Sequence, residues 1–434
     1  MFNQNLATIS MDSAIQRNFH TTLINTVKTT KVNDGTIKPE NSISNCVFIL
    51  ENEPYLKDSL RFNELSNTIE IIKPFPWNKE PKPFSDTDET HLRKYFEKYN
   101  MKNIKGHLND AIRLVADRNK YHPIKEYFDT LKWDGTPRIG TLLHKLFDTD
   151  DNIYHSEVLT VFMIGAVSRI YNPGCKFDYM PIISAKQGIG KSTFFKTLAV
   201  KPEWYLEDLR SVDKAGIEQI QGKWIVEWGE LNAMSRAKDV SAIKIFVTTT
   251  NDTLRLPYDK YVSNFKRQCV FSGTTNENQF LYDKTGNRRF LPIKSNIPHG
   301  KMIDVDYLSS VLDQLWAEAL ELYRSGYKPI LTPEAGEIAF GLQSDAMDED
   351  INLGLINAFL NREGWGDKQA PTEVCTLMLW VEALNCKREM RRYDSKEIAR
   401  IMDNMEGWTL YSGSKDGRKR VGSYGNQRCW VRSE

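Results

Sequence analysis

Nine consecutive residues have the types and spacing of a phosphate-binding loop. They read A-K-Q-G-I-G-K-S-T and comprise Ala185, Lys186, Gln187, Gly188, Ile189, Gly190, Lys191, Ser192 and Thr193. The pattern G-x-x-x-x-G-K-[ST] is met at three of its four fixed positions, because Ala185 replaces the first glycine. Gly188 and Gly190 can adopt the backbone that points N–H groups at phosphate oxygens. Ala185 is compatible with the turn if its φ is negative.

The side chains that end this run indicate a chemistry. Lys191 is expected to reach the β- and γ-phosphates of ATP, Ser192 to bind Mg²⁺, and Thr193 to help hold a phosphate. The apolar stretch Met180–Ser184 predicts a strand before the loop, and a helix-prone stretch follows Lys191. This context favours a nucleotide site over a chance glycine-rich turn. A phosphate loop alone does not say what the energy of ATP does.

Two carboxylates accompany the next predicted strand, Trp224–Trp228. A nucleotide hydrolase needs an acidic group near Mg²⁺ and a second one to orient the attacking water. We predict that Glu230, which follows the strand, activates this water and lies close enough to contact Mg²⁺. Glu227 lies inside the strand, so it either supports Mg²⁺ or faces solvent as an ordinary strand residue.

Two further candidate groups follow a third predicted strand, Gln268–Ser272. Asn276 can hydrogen-bond the γ-phosphate or its attacking water, although a plain Thr/Asn turn would have the same composition. The adjacent pair Arg288 and Arg289 precedes another apolar stretch. Either arginine could act as a finger on the phosphate of a neighbouring subunit. The alternative for both is a surface arginine pair.

Basic side chains interleaved with aromatic ones lie between the second and third predicted strands. This composition suits a nucleic-acid backbone with stacked or splayed bases. The alternative is a solvated charged hairpin. The residues of this segment that we predict to contact DNA are Lys244, Arg255, Tyr258, Lys260 and Lys266.

A second basic region ends the chain. The segment Cys386–Glu434 holds twelve basic and seven acidic residues, a net charge of +5. A helix is predicted over Ser395–Met405 and strands over Trp408–Tyr411 and Arg428–Val431, with a Gly- and Lys-rich loop between the strands. This order is compatible with a winged-helix DNA-binding module, and a small basic lid on the ATPase is the alternative. The predicted contacts in the loop are Lys415, Arg418, Lys419 and Arg420.

The bulk properties narrow the class of protein. The net charge of the 434 residues is +1, so any nucleic-acid surface must be local. Six scattered cysteines without a CxxC pair predict neither a disulfide framework nor a zinc site, and they fit a reducing cytoplasm. No apolar run is long enough to cross a membrane, and the N-terminus lacks a signal-peptide layout.

Alternating strands and helices around the phosphate loop predict an α/β fold with an open sheet. We predict a polar tail over 1–45, a mostly helical domain over 46–150 and a P-loop ATPase domain over 151–330. A helical connector over 331–370 and the winged-helix-like α+β module over 371–434 follow.

The motif order resembles the virulence-associated protein E family of phages and phage-related mobile islands. The resemblance rests on AKQGIGKST, WIVEWGEL, SGTTNE and GNRRF, and upstream on LKWDGTPRI and FILENEP. It implies an AAA+-like core similar to superfamily III helicases, in which Lys191 and Ser192 fall on Walker A, Glu230 on Walker B and Asn276 on sensor 1. Arg288 or Arg289 falls where the finger is expected. The basic segment, which includes Asp252, falls where these helicases carry a channel loop for DNA.

The resemblance also implies a function. It is that of an ATP-dependent DNA helicase or translocase that helps initiate replication of a mobile element in the bacterial host cytoplasm. Such motors form hexamers with ATP between subunits and single-stranded DNA in the ring channel, and duplex DNA would bind the C-terminal module. No primase site is visible, so a separate primase is an expected partner. The alternatives are an ATP-regulated DNA-binding assembly factor without unwinding activity and, less favoured, a small-molecule kinase.

Overall fold

The structure is a computed structural model. It describes residues 18–31, 35, 37–229, 237–254, 262–281, 287–298, 300–347, 351–361, 370–414 and 416–432. The predictions for Glu230, Arg255, Tyr258, Lys260 and Lys415 fall outside these residues. The chain forms two compact units, Met1–Ala346 and Met347–Glu434. Their division falls inside the predicted connector 331–370.

The first unit contains twelve α-helices in its described part. They are 18–26 (α1), Ile43–Asn52 (α2), Asp86–Phe96 (α3), Lys105–Arg118 (α4), Pro123–Thr130 (α5), Ile139–Phe147 (α6), Ile153–Tyr171 (α7), Lys191–Leu198 (α8), Lys214–Gln219 (α9), Ala237–Thr248 (α10), Val305–Arg324 (α11) and Pro333–Asp345 (α12). Short 3-10 helices lie at Glu97–Tyr99, Pro202–Trp204 and Asn287–Arg289. None of the described helices combines the length and the apolarity needed to span a bilayer.

The strands of this unit form several small sheets and one larger sheet. They are Thr29–Lys31 (β1), Ile37–Pro39 (β2), Leu60–Asn63 (β3), Thr68–Ile71 (β4), Lys82–Pro83 (β5), Met180–Ser184 (β6), Tyr205–Leu206 (β7), Ile225–Trp228 (β8), Asn251–Leu254 (β9), Ser263–Lys266 (β10), Val270–Thr275 (β11) and Phe290–Lys294 (β12). Strands β1–β2, β3–β4–β5 and β9–β10 pair antiparallel.

The N-terminal helices enclose a core of their own, and α1 belongs to it. Phe19 and Leu23, one helical turn apart, are buried among residues of α2, α3 and α4. Asn45 is also buried and donates to the carbonyls of Lys28 and Glu40 at 2.9 and 3.0 Å. The predicted polar tail over 1–45 is therefore corrected for residues 18–31 and 37–45, which form a helix and a strand pair and bury Phe19, Leu23 and Asn45.

A parallel five-stranded sheet forms the centre of the unit, in the order β12–β6–β11–β8–β7. All residues of β6, β8 and β11 are buried, as expected for a parallel sheet covered on both faces. The prediction of a strand over Met180–Ser184 is confirmed residue for residue. Helices α5 and α6 share the core of this sheet through Phe128 and Phe147, so the core begins before the predicted boundary at 150/151.

Helix α12 also belongs to the first unit. Ala335 and Ala339 are buried in the core of the sheet, and the Gln343 amide donates to the carbonyl of Phe290 at 2.8 Å. The first half of the predicted connector is therefore part of the sheet's own core.

The second unit is a small α+β fold. Its helices are Ile351–Asn361 (α13), Thr376–Met378 (α14), which continues into a π-helix over Leu379–Ala383, and Arg392–Asp403 (α15). Its strands are Glu373–Cys375 (β13), Trp408–Leu410 (β14), Arg418–Arg420 (β15) and Asn426–Arg432 (β16). Strand β16 pairs antiparallel with the other three. The predicted order of a helix and two strands is confirmed, and the loop between the strands additionally contains β15.

Candidate nucleotide-binding site

The loop between β6 and α8 has the backbone that a phosphate cradle needs. Gly188 and Gly190 have φ angles of +86° and +100°, which disfavour any side chain. A Cβ at Gly190 would also lie 2.9 Å from Cγ1 of Ile303. Ala185 has a negative φ, and its N–H donates to the carbonyl of Thr275 at 3.2 Å. The departure from the glycine pattern at Ala185 is therefore compatible with this turn.

The ammonium of Lys191 lies at the centre of the loop, and the residue as a whole is only 9% exposed. Its Nζ donates to the carbonyls of Ala185 and Lys186 at 2.7 and 3.1 Å and to Oδ1 of Asn276 at 2.8 Å. Burial lowers the pKa of Lys191, and the negative charge of Glu227 partly opposes this shift. The structure thus brings the predicted Walker A lysine and the predicted sensor residue into direct contact.

Glu227 is buried and directed at the loop, which decides between its two interpretations. Glu227 is only 1% exposed, so its side chain does not face solvent. Oε1 accepts hydrogen bonds from Ser192 Oγ at 2.7 Å and from Thr274 Oγ1 at 2.6 Å, and Oε2 accepts from the hydroxyl of Tyr205. Burial, together with the charge of Glu227, raises the pKa of Tyr205. Three hydroxyl donors therefore hold this carboxylate in place.

An open cleft of about 650 Å³ lies above these groups. It is lined by the phosphate loop, Glu227, Asn276 and the segment Glu207–Arg210. Small-molecule pockets typically have volumes of about 300–1,000 Å³. In open α/β sheets, ligands bind at the carboxyl ends of the strands, which is where this cleft lies. Ser192 and Glu227 supply the oxygen ligands that Mg²⁺ prefers, so the donor set fits this ion.

Sequence reasoning missed two residues that hold Glu227 and the segment Glu207–Arg210, which lines the cleft. Tyr205 and Thr274 hold Glu227, and Asp208 forms part of the wall with a strained φ of +104°. The Arg210 Nε donates to Asp208 Oδ2 at 2.8 Å, so this wall carries charges of both signs. No sequence signal marks the segment, because β7 is only two residues long and reaches the site through pairing with β8.

Arg288 and Arg289 lie at the amino ends of the parallel strands, whereas the phosphate loop lies at their carboxyl ends. Phe290, which follows them, pairs with Met180 at the start of β6, whereas the loop follows the end of β6. The two ends of β6 are separated by a rise of four residues, or about 13 Å. Arg289 is half-buried, with its Nε 3.7 Å from Oδ2 of Asp178, and Arg288 is exposed. Neither arginine lines the cleft of its own chain.

The predicted DNA contacts of the first unit differ in exposure. Lys266 is exposed on β10. Lys244 is only 8% exposed, and its Nζ lies 5.9 Å from the ring centre of Phe290. The prediction that Lys244 contacts DNA is corrected on this ground, because a buried ammonium cannot reach a phosphate backbone. The neighbouring Arg267 is buried in a two-bond ion pair with Asp252, at 2.6 and 2.8 Å, and anchors the β9–β10 hairpin.

The predicted contacts of the second unit also divide. Arg418 and Arg420 are exposed on β15. Between them, Lys419 forms an ion pair with Glu373, and its ammonium lies 5.4 Å from the ring centre of Tyr411. Alternation along the strand therefore places Lys419 on the opposite face from the two arginines.

The parallel sheet, the phosphate-loop geometry and the cleft at its carboxyl edge define an α/β protein with a nucleotide-binding-like core. The virulence-associated protein E-like domain matches residues 128–348, more than half of the chain. The chain belongs to this family.

The chain is similar to the apo structure of the NrS-1 C-terminal region, with 14% sequence identity, a TM-score of 0.47, and coverage of 86% of this chain and 96% of that chain. It is similar to the A-form apo structure of the same region, with 15% identity, a TM-score of 0.47, and coverage of 91% and 100%. No curated protein matches the chain.

Proposed function

We propose that this chain is an ATP-dependent DNA helicase or translocase that acts in replication initiation of a phage or phage-related mobile element. The observation that carries the proposal is the hydrogen-bonded convergence of Lys191, Ser192, Glu227 and Asn276 at one edge of the sheet. A lysine, a hydroxyl, an acid and an amide are the groups that phosphoryl transfer to water requires.

Each residue has a role in this proposal. Lys191 binds the β- and γ-phosphates, and Asn276, which it already contacts, senses the γ-phosphate or its water. Ser192 and Glu227 hold Mg²⁺, whose charge offsets that of the phosphates when it is bound. Glu230 is proposed to orient the attacking water. Strand β11, which ends just before Asn276, lies between β6, which precedes the phosphate loop, and β8, which carries Glu227, and this order supports the AAA+-like assignment.

The position of the arginine pair supports a ring. Arg288 and Arg289 lie at the end of the strands that is distant from the phosphate loop. An arginine finger at this position can therefore contact only the nucleotide of another subunit. Arg288 is the better candidate, since it is exposed while Arg289 is bound to Asp178. We propose a homo-oligomer, of hexamer type, with ATP at the subunit interface.

The DNA contacts are proposed at two places. Single-stranded DNA is proposed to contact Lys266 of the β9–β10 hairpin. Further contacts are proposed for three residues between these strands in the sequence, outside the described part of the chain: Arg255, Tyr258 and Lys260. The buried Arg267–Asp252 pair gives this hairpin a rigid base. Duplex DNA is proposed at the winged-helix-like second unit, and a separate primase in the host cytoplasm would supply primers.

Unwinding of forked DNA by the full chain tests the proposal. Lys191→Ala should lower ATP hydrolysis and unwinding by about 100-fold or more, because it removes the charge at the phosphates. Lys196→Ala is the matched control, since Lys196 is exposed on the same helix. Intact unwinding by Lys191→Ala would contradict the motor assignment.

Two other outcomes would favour the alternatives. ATP-dependent DNA binding without strand separation would indicate an assembly factor. ATP hydrolysis that no DNA stimulates would count against both DNA functions and would leave the small-molecule kinase.

A further inference from the structure

The outer side of α15 carries a row of basic side chains. Arg392, Lys396 and Arg400 are spaced by four residues, which places them on one side of the helix, and all three are exposed. The guanidinium of Arg400 also forms an ion pair with the carboxylate of Glu397 at 2.5 Å. The row spans eight residues, or about 12 Å along the helix axis.

The inner side of α15 fixes how the helix is held. Ile398, Ile401 and Met402 are at most 4% exposed and pack in the core of the unit with Trp380 and Trp430. Because the helix is anchored along its apolar side, the basic row cannot rotate inward. Its orientation is a property of the folded unit.

The start of α15 is fixed by a second set of contacts. Arg388 binds Asp394 with two hydrogen bonds, at 2.7 and 2.8 Å, and its guanidinium lies 4.5 Å from the ring centre of Trp380. Asp394 also accepts from the N–H of Arg391 at 2.8 Å. The bond with Arg388 lowers the pKa of Asp394 to about 2. Asp394 is thus neutralised from within the fold, and its charge does not cancel that of the row.

The hairpin of β15 and β16 extends this surface. Arg418 lies directly opposite Arg428, so their side chains share one face. Arg428 reaches Asp403 of α15 at 2.9 Å, which shows that this face borders the helix. Arg420 is on the same face, while Lys419 points the other way. We call the surface formed by Arg392, Lys396, Arg400, Arg418 and Arg420 the basic face.

We propose that the basic face binds duplex DNA, with α15 in the major groove and β15 against the adjoining phosphates. The proposal deepens the proposed function and rests on it for the class of partner. The major groove is about 12 Å wide and admits one α-helix, and arginine and lysine are the side chains that read guanine there. A helix held rigidly by Trp380, Trp430 and the Arg388–Asp394 pair can keep its row aligned with base edges.

Fluorescence anisotropy of the full chain on a 30-base-pair duplex, measured over a range of salt concentrations, tests this. The logarithm of the affinity falls linearly with the logarithm of the salt concentration, and each lost phosphate contact makes this slope less steep by about 0.9. The double variant Arg418→Gln/Arg420→Gln, on the strand proposed to face the phosphates, should therefore reduce the slope by about 2. The double variant Arg392→Gln/Lys396→Gln, which removes contacts to base edges, should weaken binding at least about ten-fold. The control Arg324→Gln/Lys328→Gln removes the same number of charges from exposed positions of the first unit and should leave the slope unchanged.

An unchanged slope for Arg418→Gln/Arg420→Gln, an unchanged affinity for Arg392→Gln/Lys396→Gln, or an equal loss in the control would overturn the proposal. A single strand of the same length that binds more tightly than the duplex, with the same dependence on Arg392 and Lys396, would overturn the duplex assignment. ATP hydrolysis without DNA is measured in parallel on the same proteins. Its absence in the wild type would refute only the proposed motor, because the slope reports duplex binding without ATP.

Discussion

The hydroxyl of Tyr205 donates to the carboxylate of Glu227, which also accepts from Ser192 of the phosphate loop. This links the edge strand β7 to the proposed Mg²⁺ site through the carboxylate of Glu227, and the same hydroxyl also lies 3.4 Å from the carbonyl of Ser192. The contribution of Tyr205 is to position Glu227, and this contribution can be measured separately from hydrolysis.

Tyr205→Phe should raise the Mg²⁺ concentration needed for half-maximal ATP hydrolysis by about ten-fold, because partners of metal ligands affect metal affinity by about 10- to 100-fold. The maximal rate at saturating Mg²⁺ should fall much less. Tyr307→Phe is the control, because its ring packs under Lys145 outside the site. A Tyr205→Phe protein that is less stable but has an unchanged Mg²⁺ requirement would reduce Tyr205 to a packing residue.

Glu227→Gln keeps the shape of the side chain and removes its charge. We expect ATP binding to persist while hydrolysis falls by about 100-fold, since the charge near Mg²⁺ is needed most in the transition state. A fluorescent ATP analogue would report binding, and phosphate release would report hydrolysis. Glu277→Gln, an exposed neighbour of Asn276, is the matched control. Full hydrolysis by Glu227→Gln would exclude this acid from the metal site.

The phosphate loop could be predicted from the sequence because its signals are local. Met180–Ser184 is a continuous apolar run, and Gly188, Gly190 and Lys191 follow within a few residues. The role of Glu227 could not be decided in the same way. A strand buried on both faces shows no alternation, so nothing in the sequence indicates to which side a carboxylate points.

Contacts between distant segments explain the remaining differences. Tyr205 reaches Glu227 only because β7 pairs with β8. The charge of Lys244 suggested an exposed side chain, yet α10 turns it inward against Phe290. Composition also concealed α1, whose Phe19 lies in a segment rich in polar residues.

Lys191 provides a prediction for pH. Burial lowers its pKa below the ordinary lysine value, and bound phosphates would favour the charged form and raise it again. ATP affinity should therefore be complete at pH values below the pKa of the free protein and fall as the pH rises through it, by up to about ten-fold per pH unit. Titration with a fluorescent analogue between neutral and alkaline pH measures this. Lys191→Met should bind weakly and lose the alkaline decline. A decline that persists in Lys191→Met would assign it to another group.

We predict opposite effects on ATP hydrolysis for the substitution of Arg288 and of Arg289. Arg288→Ala should lower ATP hydrolysis by about 1,000-fold or more if Arg288 is the finger. Arg289→Ala should retain hydrolysis and lose under about 1 kcal/mol of stability, because its pair with Asp178 is long and partly exposed.

Mixing two inactive proteins tests whether the finger acts between subunits. In a mixed ring, a Lys191→Ala subunit supplies an intact Arg288 to a neighbouring Arg288→Ala subunit, whose Lys191 is intact. Hydrolysis should therefore reappear in the mixture of the two variants, and it should not in a mixture of Lys191→Ala with Lys191→Ala/Arg288→Ala. Recovery in neither mixture, under conditions where wild-type rings form and exchange subunits, would show that Arg288 does not act on the nucleotide of a neighbour.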